Sequence, residues 1–162
     1  MDNYSSARGR SYGNSSFNSY GRSSYQPSVQ LPQVKFYEAG DTEKKLIRSD
    51  LLDKEADTCA KAFVEGKIKA AQLRKFYGAV KALELVWKSK GADDDSFRTI
   101  LPQIKLMKAK ASYAKGRKVV PDCFAAWLSS CADMISDTRD FEAFLLHFEA
   151  VVGFAYGEGL KD

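Results

Sequence analysis

The side chains able to do chemistry are few, and their spacing does not bring them together. The single histidine, His147, stands among Leu145, Leu146 and Phe148 with no carboxylate or nucleophile set beside it, so it reads as a packing or helix-surface residue. Asp93, Asp94 and Asp95 are consecutive, whereas a calcium loop spaces its ligands; the run reads as the acidic start of a helix. Cys59, Cys123 and Cys131 are odd in number and lie inside helical patterns with no histidine nearby. They read as reduced, small core residues rather than metal ligands. Glycine-rich phosphate loops, paired-cysteine motifs and nucleophile elbows are absent. The expectation is a protein that is not an enzyme and takes no cofactor.

The remaining chemistry is that of charge. The 162-residue chain carries a formal net charge of +4, but unevenly: residues 67–118 hold fourteen Lys and Arg against four Asp and Glu, and residues 119–162 hold two against eight. The middle is therefore +10 and the C-terminal part −6. A segment so basic attracts a polyanion, and the acidic end suits a basic neighbour. The plainer reading is a lysine-rich face that is merely solvated.

Helices must present those cations. Leu73, Phe76, Tyr77, Val80, Leu83 and Trp87 recur at three- and four-residue spacing, one side of a helix over about 70–88. At about 100° per residue, Lys67, Arg74, Lys81 and Lys88 fall on the other side. In a following helix Ile104, Met107, Ala111 and Ala114 form the apolar line. Lys105, Lys108, Ser112 and Lys115 lie opposite, with Lys110 and Arg117 on the flank.

An earlier helix is marked by Leu52, Ala56, Cys59, Ala60 and Phe63, with Asp50 and Asp53 near its start and Gly66 at its end; Asp41 or Thr42 could cap a pattern before it. The short turn after it predicts that this helix and the next are antiparallel neighbours. Gly91 and the Asp93–Asp95 run separate the two basic helices. Pro102 either starts the second of these or kinks it. Pro121 opens a further helix striped by Phe124, Trp127, Leu128, Cys131 and Ile135. Asp137 or Thr138 caps the last, striped by Phe141, Phe144, Leu145, Phe148, Val151, Val152 and Tyr156. No strand-like alternation occurs, so the expected fold is all-α, a compact bundle of about five helices over residues 35–162.

Residues 1–34 are mostly Ser, Tyr, Gly and Asn with Arg8, Arg10 and Arg22, and read as a disordered tail because they cannot bury enough to offset the entropy of ordering. Its interleaved Arg and Tyr could stack on bases, or the tail is a plain solubilising extension. No apolar run is long enough to span a membrane and no signal peptide opens the chain, so a cytoplasmic location is expected.

Three segments, in order, carry a family resemblance. They are Gln72-Leu73-Arg74-Lys75-Phe76-Tyr77 with Val80, then Leu101-Pro102 with Lys105, Leu106, Lys110, Tyr113, Gly116 and Arg117, and then Asp140-Phe141 through Phe148-Glu149-Ala150-Val151-Val152. Together they resemble the small subunit of type III-A CRISPR effector complexes, the Csm small-subunit family. The resemblance runs over about residues 46–156. It implies a non-catalytic helical bundle, stacked in several copies as an inner filament beside the backbone and large subunits. It also implies basic faces along the guide RNA and target RNA, with cutting attributed to the neighbouring backbone subunit, in antiviral defence. Two features depart from the pattern: Lys69-Ala70-Ala71 stands where the family commonly has a capping Thr or Ser, and the N-terminal tail lies outside it.

A protein holding any RNA sequence should contact phosphates rather than base edges. The expected contacts are Arg74, Lys75, Lys81, Lys105, Lys108, Lys110, Arg117 and Lys118, followed by Lys67 and Lys88. Gln72 and Tyr113 could also touch RNA, Tyr113 being equally readable as a packing residue. Lys81 and Lys88, near Glu84, are alternatively ion-pair partners, including with a neighbouring copy. Two other readings stand beside this one: a structural bundle working only by head-to-tail protein contacts, and a standalone single-strand RNA-binding protein acting through the tail.

Overall fold

Hydrophobic spacing, helix caps and chain reversals combine into six helices in the computed structural model, which describes residue 31 and residues 33–161. They are α1 (Ser49–Leu52), α2 (Lys54–Glu65), α3 (Ala70–Ser89), α4 (Asp94–Gly116), α5 (Asp122–Met134) and α6 (Thr138–Gly157). The fold is all-α: five substantial helices and the single turn of α1. The tail reading falls outside the described residues except at Leu31, Gln33 and Val34, and Val34 is buried in the core with Phe36.

Two helix starts follow from side-chain capping. Asp93 accepts from the Ser96 N–H at 2.7 Å while Ser96 Oγ accepts from the Asp93 N–H, a reciprocal pair that fixes the start of α4. Asp137 accepts from the Asp140 N–H at 2.9 Å at the start of α6. α3 has no side-chain cap at Lys69.

The ends of α2 and α4 are built alike. At α2 the Lys67 N–H donates to the Val64 carbonyl and the Ile68 N–H to that of Phe63; at α4 the Lys118 N–H donates to Lys115 and the Val119 N–H to Ala114. Both turns place a lysine in the left-handed region, with φ of 61° at Lys67 and 56° at Lys118, where glycine is usual. A Cβ on Gly66 would stand 2.7 Å from the Pro121 Cβ, so the end of α2 lies directly against the entry to α5.

The core is aromatic. Trp127 packs edge-on to Phe63 and Phe148, with Phe124 and Phe144 beside it. Phe76 reaches Phe124 from α3, and Trp87 joins Phe97 of α4 to Phe141 of α6. The apolar lines Leu73, Phe76, Val80, Leu83, Trp87 and Phe124, Trp127, Leu128, Cys131, Ile135 are buried.

Several expectations need correction. The principal packings are α2 against α6 and α4 against α5, while α3 lies on α4 and α6, so α2 and α3 are not close antiparallel neighbours. The left-handed turn at Lys67 redirects the chain, and the apolar line of α2 finds α6 instead. Asp41 caps no helix: its carboxylate accepts from the N–H groups of Lys45 and Leu46 in a turn. Residues 33–48 form no helix: the chain turns at residues 39–43 and folds back on itself through a single antiparallel bridge, Tyr37 to Ile47. That segment is fastened by Lys44, which donates to Asp137 at 2.6 Å and to buried Asp140 at 2.7 Å. α4 begins at Asp94 and runs on through exposed Pro102, where no N–H is available to the Arg98 carbonyl. Tyr156 leaves the core stripe and is exposed.

Candidate nucleic-acid interface

The directions taken by α5 and α6 sort the expected RNA contacts into two sets. The first set is engaged within the chain. Lys105 turns toward the C-terminus of α5, where its ammonium donates to the carbonyls of Ala132 at 2.5 Å and Ile135 at 2.7 Å. Burial draws its pKa below the ordinary lysine value, with Asp133 opposing. It satisfies helix-end carbonyls and complements the helix dipole. Lys108 pairs with Asp133 at 2.5 Å, and Lys115 with Asp122 at 3.2 Å. The side of α4 that helical spacing set opposite its core line therefore runs along α5.

On α3, Glu84 sits between Lys81 and Lys88, paired to the first and 2.6 Å from the second. Burial alone would raise the Glu84 carboxyl, but the two ammonium groups outweigh it and hold it below the usual carboxylate range. Glu84 in turn raises the Lys81 pKa, chiefly through its hydrogen bond. Arg74 donates to the Tyr156 hydroxyl at 3.2 Å, which aligns the first turns of α3 with the last turn of α6. Lys61 lies 3.8 Å from Glu158, so the ends of α2 and α6 meet here too.

The second set has no carboxylate partner among the described residues: Lys67, Lys75, Lys110, Arg117 and Lys118. Each is exposed. Lys67 belongs not to a face of α3 but to the turn before it. Lys118 occupies the matching turn after α4. The Gly66–Pro121 contact brings these two turns to the same end of the bundle. Lys69, passed over because it falls outside the helical period, stands at the start of α3 at that end and is exposed as well. The signal for it was only its place among Lys67 and Lys75.

On the open flank of α4, Lys110, Tyr113 and Arg117 follow at three- and four-residue spacing, so they form one line along the helix. The Arg117 guanidinium lies over the Tyr113 ring at 5.7 Å. Tyr113 is 67% exposed and is thus no packing residue. Gln72 is half-buried on α3. Chemically, one end and one flank of the bundle offer ammonium and guanidinium groups at several heights around an aromatic ring. That donor set suits phosphates, whose attraction it supplies without reading sequence.

The other chemistry-bearing side chains are arranged for packing. Among the described residues no group of three or more His, Cys, Asp and Glu is placed to hold a metal ion. Burial pushes the Cys59 thiol up to about 12 and the Cys131 thiol well above its ordinary value, so neither is a ready thiolate. His147 is buried, its ring held between Trp127 and the Leu51 carbonyl. No helix among the described residues is long and apolar enough to cross a membrane.

The fold and this surface define a class: a small all-helical module that displays a cluster of cations at one end and along one flank. The family model described as Csm2 Type III-A matches residues 47–158, and the chain belongs to that family, as a subunit of the type III-A complex. Comparison with curated proteins and with solved structures returned no match.

Proposed function

We propose that this chain is a non-catalytic, RNA-binding small subunit of a type III-A CRISPR ribonucleoprotein that works in antiviral defence in the cytoplasm. It holds the guide RNA and target RNA through sequence-independent phosphate contacts, alongside the backbone and large subunits and further copies of itself. The observation that carries this reading is the set of exposed cations without a carboxylate partner among the described residues, Lys67, Lys75, Lys110, Arg117 and Lys118, joined by Lys69. Lack of a partner alone is ordinary for a surface cation; what distinguishes these is their grouping at one end and along one flank of the bundle, where the Lys67 and Lys118 turns meet. Arg74 adds its charge to the same end, while Lys81, Lys88 and Lys108 serve RNA only by leaving their pairs.

The test is binding of the intact chain to unstructured single-stranded RNAs of different sequence across a salt series. Affinity that falls steeply with salt and is indifferent to sequence supports the proposal. Binding of one sequence alone, or salt-insensitive binding, contradicts it.

Stacking of copies is supported by a separate observation. Gly78, Ala82 and Leu85 form an exposed line on α3 at four- and three-residue spacing, and Leu85 is 70% exposed. An exposed apolar helix line of this kind suits contact with another protein surface. Filaments formed without RNA would favour protein contact as the leading activity.

A further inference from the structure

Of the four tyrosines among the described residues, three have partners. Tyr37 stands edge-on to Phe36, Tyr77 packs on Phe148, and Tyr156 accepts from Arg74. Tyr113 differs: among the described residues its hydroxyl finds no hydrogen-bond partner and its ring touches no other ring, and it is the most exposed aromatic side chain of these residues. So exposed a ring, with an apolar face and a polar tip, is open to contact with a flat partner. Among the described residues its ring partner is the Arg117 guanidinium.

The surroundings are cationic on the same helix line and beyond its end. Lys110 precedes Tyr113 by one turn, Arg117 follows it by one turn, and Lys118 lies in the left-handed turn that closes α4. Lys110 to Arg117 covers about 10 Å of helix at 1.5 Å per residue. A flat ring flanked by cations that lack carboxylate partners suits an unpaired base with its neighbouring phosphates. A membrane surface would favour several apolar side chains together with the cations, and a protein groove would favour an apolar seam without them.

We propose that Tyr113 is a stacking platform for an unpaired nucleobase of single-stranded RNA, with Arg117 ordering the ring and Lys110 and Lys118 holding the flanking phosphates. The proposal rests on the RNA-binding reading above and adds to it a contact that is not electrostatic. Every base presents a π-face, so the contact tolerates any sequence. It would fix where a base sits along α4, which phosphate contacts alone do not do.

The experiment compares the full chain with Tyr113→Ala and Tyr113→Phe, using an unstructured single-stranded RNA and inorganic polyphosphate, which offers phosphates without bases. Tyr113→Ala is expected to weaken RNA binding by about 5- to 150-fold, the range for one base stacked on an aromatic ring. Polyphosphate affinity and the salt slope should stay unchanged, and Tyr113→Phe should bind RNA as the parent does. Unchanged RNA affinity in Tyr113→Ala overturns the proposal, and if self-association falls at the same time the ring is a protein contact. Equal loss for RNA and polyphosphate also overturns it, because the ring would then only position cations. If the parent binds neither probe, the RNA-binding reading fails first and this proposal with it.

Discussion

Trp127 donates its indole N–H to Nε2 of His147 at 3.1 Å, while Nδ1 of the same ring lies 2.7 Å from the Leu51 carbonyl. Because the indole is only a donor, Nε2 must accept and Nδ1 must carry the proton. One neutral tautomer thus ties α1, α5 and α6 together.

Stability should depend on this ring near neutral pH. Burial lowers the His147 pKa from its ordinary 6.5, opposed by the Leu51 carbonyl and by Glu55. Above 6.5 both folded and unfolded chains are neutral at this site, and its contribution is fully present. Below 6.5 the unfolded chain takes up a proton that the folded ring resists, so stability falls with pH until the depressed folded value is reached. Urea midpoints at pH 7.5 and 5.5 should show a decrease in the parent and a smaller one in His147→Phe. A parent midpoint that does not move with pH counts against this account.

Lys105 is expected to matter for folding and not for RNA. Lys105→Met keeps the aliphatic stem but strips the α5 carbonyls of their donor, and should cost about 1–2 kcal/mol. Thermal unfolding checks the loss, and RNA affinity measured below the transition should match the parent. A variant as stable as the parent, with weakened RNA binding, would return Lys105 to the interface.

Gly66 is required by crowding and not by its backbone angles. Its φ of −71° suits any residue, yet an added Cβ meets Pro121 at 2.7 Å and the Ala62 carbonyl at 3.1 Å. Gly66→Ala should therefore destabilise by about 1–3 kcal/mol as α5 is pushed from the end of α2. A raised melting temperature, the usual outcome of replacing a glycine where space allows, would show that the contact yields.

Much of the fold was legible. Apolar spacing placed the buried lines of α3, α5 and α6 and the later half of that of α4, though not Phe97 and Ile100 before Pro102, and Asp93, Asp137 and Gly66 marked helix limits because caps and stops have local chemistry. Partner choice was not legible: nothing local says that α2 meets α6 rather than α3, or that Lys44 crosses to Asp140. The candidate site suffered from the same gap. A helical wheel tells which cations oppose the core, not which flank the next helix will cover. Lys105 and Lys108 look open on the wheel, but α5 lies beside them; Lys110 and Arg117 look marginal and are the ones left exposed. Lys67, placed by periodicity on α3, sits instead in a turn whose left-handed backbone no lysine announces.

The central claim is that the unpaired cations, and not the paired ones, hold RNA, and salt-dependent affinity tests it most directly. Parent, Lys67→Gln/Lys110→Gln/Lys118→Gln and Lys81→Gln/Lys88→Gln chains would be titrated with one unstructured RNA over a salt series. The account predicts that the first variant loses affinity and that its salt slope shrinks by about 0.7 for each lysine removed, the value for single strands, while the second keeps the parent's slope. Equal slopes for all three chains, or a larger loss in the Lys81/Lys88 variant, would contradict it.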